Sequence, residues 1–201
     1  MGVFDEDAEP FDLRDEDVDD SDDVDDVNDD DDTDDDDELE DASEDDIDLV
    51  IAAYREDGEP HAIALDFDLA NDLEELIRQL GRIPGDHGAF GFVSIAGDFF
   101  VLVHVRGQDV KVLLSDVTAA TDWPLARDVA DYLGEDIPDE DDDDSAPVGD
   151  LDMLEIFGVD SFELEAIASD YDMDSDEQVS AVAAKLKVER EFEAAVATFD
   201  G

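Results

Sequence analysis

The sequence predicts an α+β fold: a five-stranded antiparallel sheet in the order ββαβββα with helices packed on it, then a small C-terminal helical region. Three observations lead there. Apolar residues alternate with period two in short runs, apolar residues at helical spacing fall after the second and fifth of these runs, and the joining turns are too short for parallel crossovers. An acidic, disordered N-terminal tail precedes this patterned stretch.

Taken in order, Leu49 to Arg55 is the first strand, Asp57-Gly58 a hairpin turn signal, and His61 to Leu65 the second strand. Asn71 followed by Glu74 reads as a capping box, and Leu73, Leu76, Ile77 and Leu80 repeat at i, i+3, i+4 and i+7. Gly81, with Pro84 beyond it, closes that helix. Phe90 to Ile95, Phe99 to Arg106 and Val110 to Ser115 are β-rich runs separated by Ala96-Gly97-Asp98 and Gly107-Gln108-Asp109, which makes an antiparallel meander. In its middle run Phe99, Val101, Val103 and Val105 share a face that helices must cover. Pro124, favoured at a first helical position, opens a helix with Leu125, Val129, Tyr132 and Leu133 on one stripe, ending at Gly134.

Beyond Gly134 the reading is helical. Asp150 and Ser161 stand as N-caps for segments bearing Leu151, Leu154 and Phe157, then Phe162, Ala166 and Ile167. Ser175 and Gln178 read as a further capping box ahead of Val179, Val182, Ala183 and Leu186, and Phe192, Ala195, Val196 and Phe199 repeat the spacing. Four such short helices do not stand alone in water. They are expected to pack together or fold back on the sheet, the alternative being that their exposed stripe receives a partner.

Charge marks the domain limits. The 201 residues carry 67 Asp plus Glu against 10 Lys plus Arg, a net charge of -57. Residues 1–46 hold 28 acids and one base, 47–134 hold 16 and six, 135–146 hold eight and none, and 147–201 hold 15 and three. A salt-adapted globule would spread such an excess over its surface. Here well over half lies in two runs, where carboxylates about 3.5 Å apart along the chain repel one another well inside a Debye length. The division is therefore a disordered acidic tail (1–46), a sheet domain (47–134), an acidic linker (135–146) and a helical region (147–201). The tail reads first as a plain solubilising segment, the sharper alternative being a short acidic-hydrophobic docking motif around Phe11 to Val18.

This composition excludes several functions. A chain so poor in cations has little with which to displace counterions from phosphates, which speaks against direct nucleic-acid binding and against docking to an anionic membrane. No Cys is present, so there is no thiolate nucleophile and no thiolate zinc ligand. The first ten residues are acidic rather than basic and apolar, and the longest apolar run, Phe99 to Val103, is too short to span a bilayer, so a cytoplasmic location is expected. Asp170, Asp172, Asp174 and Asp176 imitate half a calcium loop, but Ser175 stands where Gly is required and Ala181 where Glu is. His61, His87 and His104 are dispersed, and no nucleotide or nucleophile-elbow motif survives inspection. No catalytic residue, metal ligand or cofactor is expected.

One stretch is more specific. LLSDVTAATDWPLARDVADYLG, Leu113 to Gly134, resembles the tRNA adenosine deaminase-associated protein family of high-GC Gram-positive bacteria. VIAAYREDG (Val50 to Gly58), DLEELI (Asp72 to Ile77) and GDLDMLEIFGVD (Gly149 to Asp160) agree in the same order, so the likeness covers residues 47 to 199. Its sharpest part runs from Ser115-Asp116 to Asp122-Trp123-Pro124-Leu125-Ala126. The resemblance implies a bacterial protein associated, chiefly through gene neighbourhood, with a tRNA adenosine deaminase. It implies no catalytic residues. The chain is not the deaminase itself, because a zinc deaminase needs His-x-Glu and Pro-Cys-x-x-Cys, whereas Ile63, Ala89 and Arg106 follow the three histidines and no Cys exists.

Two function classes follow. The favoured one is a non-catalytic accessory that binds a protein partner, with that deaminase as candidate and Trp123, Phe157, Phe192 and Phe199 as candidate partner-binding residues. The alternative is a small enzyme or ligand-binding domain using His and carboxylates in a pocket on the sheet. A cleft joining His104 to Asp or Glu would favour the second, and a flat apolar patch on the helices the first.

Overall fold

A computed structural model describes residues 39–139 and 145–199. The docking stretch at Phe11 to Val18 and the acidic runs at 29–37 and 140–144 lie outside them. The described residues belong to one compact unit that begins at Leu39, earlier than the strand pattern does. Ala42 is buried there, clamped by Asn71, whose side-chain amide donates to the Ala42 carbonyl (3.0 Å) and accepts from its N–H (2.8 Å).

The elements are β1 (Ile47–Glu56), β2 (Glu59–Ala64), α1 (Leu73–Leu80), β3 (Ala89–Ile95), β4 (Phe99–Arg106), β5 (Asp109–Leu114), α2 (Pro124–Leu133), β6 (Val148–Gly149), α3 (Ser161–Ala168), α4 (Ser175–Lys185) and α5 (Glu189–Val196). The fold is α+β with an antiparallel sheet, but that sheet has six strands, in the order β2-β1-β3-β4-β5-β6, rather than five. The sixth is two residues long, too short for any periodicity to announce it. Gly149 makes it possible: with φ +115, and with a Cβ that would lie 2.2 Å from the Val112 carbonyl oxygen, no larger residue fits against β5.

Period two divides the strands between two cores. Val50 and Ala52 of β1, Val93 and Ile95 of β3, Phe99, Val101, Val103 and Val105 of β4, and Val112 and Leu114 of β5 face one way. Leu73, Leu76 and Leu80 of α1 and Leu125, Ala126 and Val129 of α2 cover them. On the other face Leu49, Ile51, Phe90, Phe92, Phe100, Leu102 and Leu113 meet Leu164 of α3, Val179, Val182 and Ala183 of α4, and Phe192 and Ala195 of α5. The C-terminal helices thus fold back on the sheet, and the molecule has three layers. Burial on both faces explains why β3 is apolar almost throughout, where a half-exposed strand would alternate.

Several helix starts differ from the expectation. Asp72, not Asn71, caps α1, its carboxylate accepting the Glu75 N–H at 2.9 Å, because Asn71 is engaged with Ala42. Asp160, not Ser161, caps α3 and shares a true capping box with Glu163. Ser175 and Gln178 form no box. Both side chains turn inward, Gln178 donating to the carbonyls of Ile167 and Asp170 at 3.0 Å. Asp150 caps no helix: its carboxylate accepts from Val112 N–H (2.9 Å), and residues 151–157 are turns ending in a short 3-10 segment. In α3 the buried stripe is Leu164 and Ala168, roughly half a turn from Phe162 and Ala166, so Phe162 stands 78% exposed.

Candidate functional site

The most specific sequence stretch is first of all a corner. At the end of β5 the Ser115 hydroxyl accepts the Phe100 N–H (2.9 Å) while the Ser115 N–H donates to the Phe100 carbonyl (3.0 Å), so one buried serine closes the ladder. Asp116 then caps a 3-10 turn over Val117–Thr121, accepting from the Thr118 N–H and hydroxyl at 2.8 and 2.6 Å. Trp123 follows in extended conformation, Pro124 occupies the first helical position, and Gly134 ends α2 with φ 72. Ser115, Asp116, Pro124 and Gly134 are accounted for by turning the chain from strand to helix.

The four candidate partner-binding aromatics are drawn inward, each onto another ring. Trp123 packs on Phe99 at 6.2 Å, Phe157 on Phe90 at 5.3 Å, Phe192 on Phe92 at 5.0 Å and Phe199 on Phe67 at 5.1 Å between centroids. Phe192 is 1% exposed and lies wholly within the core, and the others are half-buried. Among the described residues the aromatics that face solvent are Tyr132, Phe162 and Tyr171. Periodicity placed Tyr132 and Phe162 on inward stripes. Leu133 and Val129 take that place in α2, which leaves Tyr132 at the stripe's edge and 52% exposed.

His104 is 3% exposed, stacked on Phe90 at 4.2 Å, and its Nε2–H donates to the His87 carbonyl at 2.9 Å. Burial holds its imidazole below the ordinary histidine value, with that hydrogen bond opposing. No carboxylate is hydrogen-bonded to it among the described residues, where it serves as a packing residue with one satisfied donor. Nearby, Arg55, His87, Phe90 and Phe157 line a small apolar hollow of about 310 Å³ with the solvent at its mouth included, but Arg55 spends its guanidinium on the carbonyls of Leu186 (2.9 Å) and Lys187 (3.2 Å). Among the described residues no three His, Asp or Glu are grouped as metal ligands would be, and no helix is long and apolar enough to cross a membrane.

A wider concavity among the described residues lies between α1 and α2. It opens to about 1460 Å³ with the solvent at its mouth included, and its lining combines Ile77 and Tyr132 with Asp72, Glu74, Asp128 and Asp131. Asp128 accepts the Leu73 N–H (3.3 Å), which joins the two helices. Burial, with the neighbouring charges of Asp72, Asp131 and Glu74, raises its carboxyl above the usual carboxylate value. The signal was in the sequence, as Asp128-Val129-Ala130-Asp131-Tyr132 within the corner stretch, but only the packing of α2 beside α1 shows that these residues face a groove.

The described residues thus form a three-layer α+β domain with a carboxylate-lined groove between α1 and α2. The chain is a member of the Rv3753c-like tRNA adenosine deaminase-associated protein family, whose profile matches residues 48–189. It is 30% identical over 138 residues, 68% of this chain and 80% of the other, to Protein Rv3753c of Mycobacterium tuberculosis (strain ATCC 25618 / H37Rv). No solved structure matches.

Proposed function

We propose that the chain is a non-catalytic accessory protein that binds a tRNA adenosine deaminase in the bacterial cytoplasm. The observation that carries this reading is the family membership, since the family's description is association with that enzyme. Electrostatics supports it. An enzyme that handles tRNA presents a cationic surface, and a chain of net charge -57 is matched to such a surface while being repelled by the nucleic acid itself. The 28 acids of residues 1–46 steer the encounter, so deleting them slows association and weakens its salt dependence while leaving dissociation largely unchanged.

Titration of the purified full-length chain into the deaminase of the same genome, by calorimetry, tests the proposal. A saturable complex, with the chain alone converting no adenosine in tRNA, is the expected result. No heat of binding at tens of micromolar, which corresponds to a binding free energy of about -6 kcal/mol, with both proteins folded, would remove this partner.

A further inference from the structure

The geometry points to the groove between α1 and α2 as the docking surface, filled by a segment of the partner that carries an apolar side chain flanked by Lys or Arg. This rests on the reading that the protein binds the deaminase. Four carboxylates, Asp72, Glu74, Asp128 and Asp131, line the groove. Its one cation, Arg78, is already paired with Glu75. The negative field is therefore uncompensated within the groove, and Asp128 registers it: its carboxyl is raised by burial and by three of these same neighbours. A cationic side chain entering there would relieve a repulsion that the free protein must carry.

The apolar component argues against a simple ion. Ile77 and the exposed ring of Tyr132 share the lining with the acids, and Tyr is a residue type that supplies large contact area with one polar end. The carboxylates are not grouped as metal ligands. An amphipathic basic segment satisfies both halves of the lining.

The position of the groove in the chain points the same way. Its walls come from DLEELI and from the Leu113 to Gly134 stretch, two of the segments by which the chain resembles its family, and both lie within the matched region. Ser115, Asp116, Trp123 and Pro124 are explained by the corner they build. Asp131 and Tyr132 are not, for neither side chain makes a hydrogen bond among the described residues. Both face the groove.

The test is calorimetric titration of the deaminase with full-length chain at two salt concentrations, comparing wild type, Asp128→Asn/Asp131→Asn, Tyr132→Ala and the control Glu165→Gln/Glu193→Gln. The control removes the same charge from exposed positions on the opposite helical layer. Asn at 128 keeps an acceptor for the Leu73 N–H, so the fold is retained. The Asn pair is expected to weaken binding about tenfold at low salt and to flatten its salt dependence, Tyr132→Ala to weaken it about tenfold at both salts, and the control to stay within about twofold. Equal losses in the Asn pair and the control would overturn the proposal, because the attraction would then be diffuse charge. Wild-type affinity in both groove variants would also overturn it, leaving the deaminase reading intact. A wild-type chain that does not bind would overturn the deaminase reading and the proposed occupant together.

Discussion

α1 and α2 lie on one face of the sheet and α3 to α5 on the other, and the two layers are fastened differently. The first is threaded into the strand order, α1 between β2 and β3 and α2 between β5 and β6, and its outer side is open, with an acid-lined groove between its helices. The second arrives after every long strand has been laid down and is tied by specific polar contacts, one of them fully buried. The Ser94 hydroxyl of β3 donates to Asp48 at 2.8 Å and accepts from Ser175 of α4 at 2.7 Å, while Arg55 of β1 reaches the carbonyls between α4 and α5. A layer held by chain connectivity can afford an exposed, self-repelling face. A layer held only by its contacts cannot, and its centre is Phe192 against Phe92.

The largest test of this contrast is Phe192→Ala. If the C-terminal helices are a full structural layer, the variant loses about 3–5 kcal/mol in a denaturant melt, as buried Phe truncations do. A loss below about 1 kcal/mol would make that layer dispensable. Ser94→Ala comes next. It leaves the buried Ser175 hydroxyl without its partner and is expected to cost about 1–3 kcal/mol, read by thermal unfolding, whereas removing the exposed Phe162 side chain should change stability by no more than about 0.5 kcal/mol.

His104 supplies a smaller effect with a definite sign. Its folded value is lowered, so the unfolded chain binds the proton more readily as pH falls through the ordinary histidine value near 6.5. Its contribution is therefore complete above that pH and is lost as pH falls toward the folded value. Wild type measured against His104→Gln, which does not titrate, should lose ground between neutral pH and pH 5, with a constant difference above neutrality. A pH-independent difference would contradict burial as the cause.

Asp128→Asn is the smallest and has the opposite direction. The raised carboxyl means that ionisation opposes folding, a penalty present above its folded value and relieved as pH falls through it. The variant should melt slightly higher than wild type at pH 7, by a few tenths of a kcal/mol, with the gain vanishing in acid. A variant less stable at pH 7 would mean that Asp128 matters for the joint it makes with Leu73 and not for its charge.

How far the sequence shows these features depends on whether local chemistry or packing decides them. Strands β1 to β5, the Asp57-Gly58 turn, and the Pro124 start and Gly134 end of α2 were legible, since period two, positive φ and proline at a helix start are local rules. β6 was not, because two residues carry no period and its pairing rests on Gly149 fitting under Val112. The start of α1 was read one residue early, at Asn71 for Asp72, and those of α3 and α4 one residue late, at Ser161 for Asp160 and at Ser175 for Asp174, which holds the N-cap position without a side-chain hydrogen bond. Asn71, Ser161 and Ser175 have the right chemistry, but Asn71 and Ser175 are claimed by distant partners that sequence does not reveal. The same limit governs the site. Trp123, Phe157, Phe192 and Phe199 each pack on another ring, which sequence alone does not reveal, and of the four only Phe192 is fully buried. The groove is made of Asp and Glu, and in a chain with 67 of them no single acid draws notice.

Hydrogen exchange of the full-length chain, alone and saturated with the deaminase, tests most directly whether the open layer is the functional one and the tied layer the structural one. Amides of α1 (Leu73–Leu80) and α2 (Pro124–Leu133) should gain protection in the complex while those of α3, α4 and α5 exchange as before. Protection gained across Ser161–Val196 with α1 and α2 unchanged would contradict the account.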